Sequence, residues 1–108
     1  MLTTQRFLKF DNEADSLTAL ELAGIDINKN THDYRVMIPN GTGILYNITV
    51  VSENEALSEA LEGYHVNLLL SDNFIAGGID VNTGLNFVPS ALDDYIVNPV
   101  TPRVVFSV

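Results

Sequence analysis

The chain has no cysteine among its 108 residues, so any chemistry it performs proceeds without a thiolate. Thiolate nucleophiles, thiolate zinc sites and disulfides are excluded together, and the redox compartment is left open. The two histidines are His32 and His65. His32 stands in a polar stretch and reads as solvated. His65 alternates onto the polar side of a strand beside Asn67, where it reads as a sheet-surface histidine and not as a catalyst. Asp93 and Asp94 are adjacent, so on a helix they point apart and cannot share a proton. Neither Gly-x-Ser-x-Gly, His-Glu-x-x-His nor a glycine-rich phosphate loop occurs. Two segments open like oxygen-ligand calcium loops, Asp26-x-Asn28-x-Asn30 and Asp80-x-Asn82-x-Gly84. The first has Thr31 at its sixth place and Met37 at its twelfth. The second has Gly84 one place early and Ala91 where a bidentate acid belongs. Both read as polar turns. The chain is expected to be no enzyme and to use neither cofactor nor metal.

Charge narrows the partners. Fourteen acidic residues face five basic ones, for a net charge of −9. No lysine or arginine occurs between Val36 and Pro102, while eight carboxylates do. Binding phosphates requires cationic side chains that replace counterions, so direct nucleic-acid binding is not expected. Mimicry of nucleic acid asks for about one charge per ~100 Å², the density on duplex DNA. Fourteen acids spread over the roughly 5,900 Å² of a folded protein this size give about one per 420 Å². Strong clustering would be needed, and Glu55, Glu59 and Glu62, spaced as one helix face, are the visible candidate. Docking on a basic protein partner asks for less.

The elements that must position these groups follow from local pattern. Gln5–Phe10 reads as a strand. Asn12 or Asp11 caps a helix carrying Glu13 and Asp15 in its first turn, with Leu17, Leu20 and Ala23 at helical spacing and Gly24 as its terminal glycine. Ile25–Asp33 is a polar loop. Tyr34–Ile38 and Ile44–Val51 are strands around the Pro39–Gly43 turn. Ser52-Glu-Asn-Glu55 has the form of a capping box, and Ala56, Leu57, Ala60 and Leu61 predict a second helix ending at Gly63. Tyr64–Leu70 alternates as a strand, with Tyr64, Val66, Leu68 and Leu70 on one face. The resulting order predicts an α+β fold, one domain over residues 1–108. Residues 1–70 form a βαββαβ split βαβ (ferredoxin-like) sandwich, and 71–108 a C-terminal extension packed on it. The extension should hold a hairpin of Ile79–Val81 with Leu85–Phe87, a brief helix from Pro89 to Tyr95, and a terminal edge strand at Arg103–Val108. Phe7, Leu17, Leu20, Val36, Ile38, Ile48, Val50, Leu57, Leu61, Val66 and Leu68 are expected in the core. The N-terminal residues lack the apolar run of a signal peptide, and no segment reads as a membrane span.

Gly63-Tyr-His-Val-Asn67, Ser90-Ala-Leu-Asp-Asp-Tyr-Ile-Val97 and Pro99-Val-Thr-Pro-Arg-Val-Val-Phe106 together resemble small uncharacterised proteins of tailed bacteriophages. These often begin with a strand of the Phe7-Leu-Lys-Phe10 type followed by an Asp/Glu-Ala-rich helix. The resemblance covers about a third of the chain in short segments. It implies a phage origin and carries no functional residue across. The expectation is a virion-associated structural or protein-binding module, in the virion or the host cytoplasm. The alternative is an acidic inhibitor docked on a basic surface of a host enzyme or defence complex. Candidate partner-binding residues are Glu55, Glu59 and Glu62 on the second helix and Val104 and Phe106 in the terminal run. An uncovered apolar edge strand is a pairing template, which favours a homo-oligomer.

Overall fold

The computed structural model describes residues 2–52 and 55–99, with side chains described outside 47–58. Its centre is the strand β5 (Tyr64–Ser71), which pairs antiparallel with β1 (Leu2–Phe10) on one side and β2 (Tyr34–Met37) on the other. Because both neighbours oppose β5, β1 and β2 are parallel to each other, and the helix α1 (Glu13–Ala23) bridges them across the intervening strand. A short strand, β6 (Ile96–Val97), adds to β1 opposite Leu8 and Phe7 and completes the order β2-β5-β1-β6. β6 stops early for a backbone reason: Pro99, two residues on, has no N–H to donate.

α1 begins and ends as its sequence dictates. Asn12 Oδ1 accepts from the Asp15 N–H at 2.9 Å, and Glu13 and Asp15 occupy the first turn. At the other end Gly24 adopts φ +93°, its N–H donating to Glu21 O and the Ile25 N–H to Leu20 O. This left-handed closure satisfies two of the last carbonyls and turns Ile25 into the core beside Leu20. The buried face is Ser16, Ala19, Leu20 and Ala23. Three of these four are small, so the helix lies close against the sheet and Leu17, expected inside, is 42% exposed.

The core lies between α1 and the face of the sheet that carries Leu8, Phe10, Val66, Leu68 and Leu70. The C-terminal residues seal it: Phe10 meets Tyr95 at 4.6 Å, and Phe87 sits 4.8 Å from Phe74 and edge-on to Tyr34. Of the expected core, Leu20, Val66 and Leu68 are buried, and Val36 and Ile38 pack on it from the edge. Phe7 is only half-buried, since strand alternation gives the core to Leu8 and Phe10. Leu61 is also half-buried. Ile48, Val50 and Leu57 lie outside the described side chains.

Two corrections concern the sheet. First, the predicted second helix is a strand. β4 (Glu55–Ala60) pairs antiparallel with β3 (Tyr46–Ser52), with Tyr46 opposite Ala60 and Val50 opposite Ala56. The apolar pairs at 56/57 and 60/61 recur every four residues, which is a helical period, but the neighbouring β-branched run Ile48–Val51 supplies a pairing template that overrides it. The second helix that the ferredoxin-like expectation lays on the sheet is thereby replaced by a two-stranded hairpin. Second, the face of β5 expected to meet solvent is closed, with His65, Asn67 and Leu69 all buried. The Pro39–Gly41 turn packs against β5, and the His65 N–H donates to Gly43 O at 2.7 Å. Gly43, at φ +80°, admits no side chain there, because a Cβ would run into the Tyr64 ring.

The outer rim of β2 is occupied by the loop before it. Thr31 N–H donates to Tyr34 O, Tyr34 N–H to Thr31 Oγ1, and Val36 N–H to Asn30 Oδ1 at 3.2 Å. These bonds use up the groups that an exposed edge would offer to another chain. The C-terminal hairpin is present where expected, reduced to one bridge between Ile79 and Asn86. A turn of tight helix over Pro89–Tyr95 also matches. The terminal run Arg103–Val108, with Val104 and Phe106, lies outside the described residues. Among the described residues no helix is long and apolar enough to cross a membrane.

Leu20→Ala should cost about 2–5 kcal/mol in a urea titration, by transfer and cavity terms together, and Leu17→Ala less than about 1 kcal/mol. Equal losses would mean that α1 buries the face expected from its leucines rather than the small-residue face.

Candidate functional site

Between the C-terminal half of α1 and the Gly78–Phe87 hairpin lies a cleft of about 520 Å³. One wall is Leu17, Glu21 and Leu22 of the helix, continued by the loop Ile25–Lys29. The facing wall is the hairpin from Asp80 to Asn86, and Tyr34 and Phe87 line the cleft as well. The volume falls in the range of ligand pockets, roughly 300–1,000 Å³.

Local chemistry fixes both walls. The hairpin is tied to the helix end by Val88 N–H donating to Ala23 O and to its own base by Phe87 N–H donating to Gly78 O. Gly24 lets this happen: a Cβ there would stand 3.2 Å from Phe87 Cδ1, on a backbone already at φ +93°. Each wall carries one of the Asp-x-Asn segments, and each is a tight turn. Asp26 Oδ1 accepts from Asn28 N–H, and Asp80 Oδ1 from Asn82 N–H, both at 2.9 Å. The structure thus brings together, on opposite sides of one cleft, two segments that the sequence offered only as incomplete calcium loops. Among the described residues no group of three or more acidic or imidazole side chains could hold a metal ion.

The lining mixes apolar and polar side chains, eight of its sixteen residues being polar or charged. Leu22 and Leu85 are 66% and 69% exposed, so the rim presents leucine to water on both sides. Below them Tyr34 is buried, its hydroxyl accepting from the Asp26 N–H at 3.3 Å. Burial raises the Tyr34 phenol above its ordinary value, the Asp26 hydrogen bond opposes this, and the charges of Asp80 and Asp26 add to the rise. The hydroxyl therefore keeps its proton at neutral pH. Asp80 is buried with 4% of its surface exposed. Its backbone is held within the hairpin by the Asp80 N–H to Leu85 O and Gly84 N–H to Asp80 O bonds. Lys29 lies 3.9 Å from Asp26 in an exposed pair that contributes little.

The residues singled out from the sequence fall elsewhere. Glu55, Glu59 and Glu62 do not form a helix face: Glu55 and Glu59 are on β4, Glu62 follows it, and Glu59 and Glu62 are exposed. Asp93 and Asp94 are exposed on the Pro89–Tyr95 turn. His32 is exposed. The cleft itself has no local signature, because its walls come from segments distant in sequence. The repeated Asp-x-Asn pattern was the one available pointer.

His65 is 2% exposed and so is out of reach of a substrate. Its Nε2 lies 2.9 Å from Glu62 O, which fits Nε2–H as donor, and Nδ1 has no hydrogen-bond partner among the described residues. Burial lowers its pKa, the Glu62 carbonyl opposes this, and the Lys9 charge adds to the lowering. The unfolded chain, with a histidine near pH 6.5, then binds more protons than the folded one at lower pH. Stability from this group is complete above about pH 6.5 and is lost as the pH falls toward the depressed folded value, by at most ~1.4 kcal/mol per unit. Urea titrations at pH 7.5 and 5.5 should show a loss on acidification that is smaller in His65→Gln. An equal acid loss in the variant would place the proton uptake elsewhere.

Comparison with models of protein families, with curated proteins and with solved structures finds no match.

Proposed function

We propose that this chain is a non-enzymatic protein-binding module, a bacteriophage accessory protein associated with the virion, which docks a protein partner through the cleft between α1 and the hairpin. One observation carries the docking role: leucines on two different elements, Leu22 and Leu85, stand exposed around a preformed concavity. Exposed apolar side chains gathered about a cleft with a polar floor are what a partner-binding surface requires. The phage setting rests on the resemblance of the His65 and C-terminal segments described above. The absence of any nucleophile–base pair in the sequence agrees with a binding role.

A second reading, an acidic inhibitor on a basic surface of a host protein, is favoured by the stretch from Val36 to Pro102 that lacks lysine and arginine. Both readings take a protein partner, with no direct contact to nucleic acid or membrane. They differ in where the partner is found. Mass spectrometry of purified particles of the encoding phage should recover the chain in constant proportion to the other virion proteins. Leu22→Asp with Leu85→Asp should reduce its incorporation at least about tenfold without loss of soluble protein, a loss of ~1.4 kcal/mol or more. Particles free of the wild-type chain would end the virion reading. Salt-sensitive capture on a host protein would then carry the second.

A further inference from the structure

We propose that the cleft selects a partner segment in which a basic side chain is flanked by apolar ones, the cation seated on Asp80 and the flanking residues on Leu22 and Leu85. The inference rests on the docking role proposed above and adds the partner's chemistry. Asp80 is more than nine-tenths buried yet lines the cleft, and only one of its carboxylate oxygens, Oδ1, has a hydrogen-bond partner among the described residues. A nearly buried carboxylate with an oxygen left over is satisfied best by a charged N–H donor from outside. The surroundings agree. Asp26 and Glu21 also line the cleft, and the one basic side chain there, Lys29, lies beside Asp26 and not beside Asp80. Tyr34 and Phe87, both buried, supply an apolar base to the cleft.

The leucines decide between a peptide and a small amine. A small cation would be satisfied by the floor alone and would leave Leu22 and Leu85 in water. A polypeptide segment covers the floor and both walls at once, burying the apolar rim while one basic side chain reaches inward. Arginine fits this site best, since its planar head is more weakly hydrated than an ammonium and donates to a largely buried carboxylate at lower desolvation cost.

The test is an amide NMR titration of the intact, isotope-labelled chain with three blocked tripeptides, Leu-Arg-Leu, Leu-Gln-Leu and Ser-Arg-Ser, and with arginine amide. Leu-Arg-Leu should shift amides of residues 17–29 and 78–87 and bind roughly tenfold or more tighter than either relative peptide. Asp80→Asn keeps an oxygen for the Asn82 N–H and should abolish the preference for arginine over glutamine. Asp94→Asn, exposed on the Pro89–Tyr95 turn and outside the cleft lining, should leave the preference intact. Equal binding of Leu-Arg-Leu and Leu-Gln-Leu at the cleft would overturn the inference while leaving the docking role standing. Arginine amide binding as tightly as Leu-Arg-Leu would overturn it in favour of a small cationic ligand. If no probe moves the cleft amides the inference also fails, and particle incorporation of the Leu22 and Leu85 variants decides the docking role separately.

Discussion

Everything in this fold depends on a strand that is buried on both faces. β5 receives hydrogen bonds from β1 and β2 along its two edges, α1 lies over its Val66, Leu68 and Leu70 side, and its His65, Asn67 and Leu69 side is closed as well. Burial of apolar surface at roughly 25 cal/mol per Å² is the dominant favourable contribution, and this one strand carries four of the fifteen buried apolar residues among those described while the rest pack around it. The same closure has a cost: an imidazole and an amide are carried inside. His65 is kept neutral by that burial, which makes the strand a point where acidification acts on the whole domain.

The cleft is a consequence of how α1 is placed on this strand. A helix with mostly small residues on its buried face sits low, and of its three leucines only Leu20 is buried while Leu17 and Leu22 are left exposed. The left-handed closure at Gly24 then sends the chain across the end of the helix, and Phe87 fills the space that a side chain at Gly24 would have taken. Once the hairpin is moored at Ala23 and Gly78, Asp80 and Leu85 must face Ile25–Lys29. A concavity with leucines at the rim and a carboxylate below is built from backbone constraints before any partner is present. Its preformed shape lowers the ordering cost of association.

The sequence was legible where the chemistry is local. Asn12, Glu13, Asp15 and Gly24 announce α1 to the residue, since caps act within one turn. Asn82-Thr-Gly84 and Pro89 announce the hairpin and the turn of helix after it. Residues 55–60 carry a helical apolar period and a capping-box sequence, and the strand is imposed by pairing with β3 rather than by local pattern. The solvated face assigned to β5 was an error that Leu69 could have prevented. Three successive leucines at 68–70 break the alternation of a half-exposed strand and mark a strand covered on both sides. The candidate site was hardest to read. Asp26 and Asp80 are separated by most of the sheet in sequence, and nothing in either turn shows that they share a cleft.

β5 should be the most deeply protected element, ahead of β3 and β4, which pair in a separate two-stranded sheet. Native-state hydrogen exchange measures this directly. The amides of Val66–Leu70 should exchange only through global unfolding, with a free energy equal to that from denaturant titration. Those paired between Tyr46–Ser52 and Glu55–Ala60 should exchange through local opening at a much lower free energy, as two-stranded hairpins do. Protection of the hairpin equal to that of β5, or exchange of Val66–Leu70 by local opening, would contradict the account.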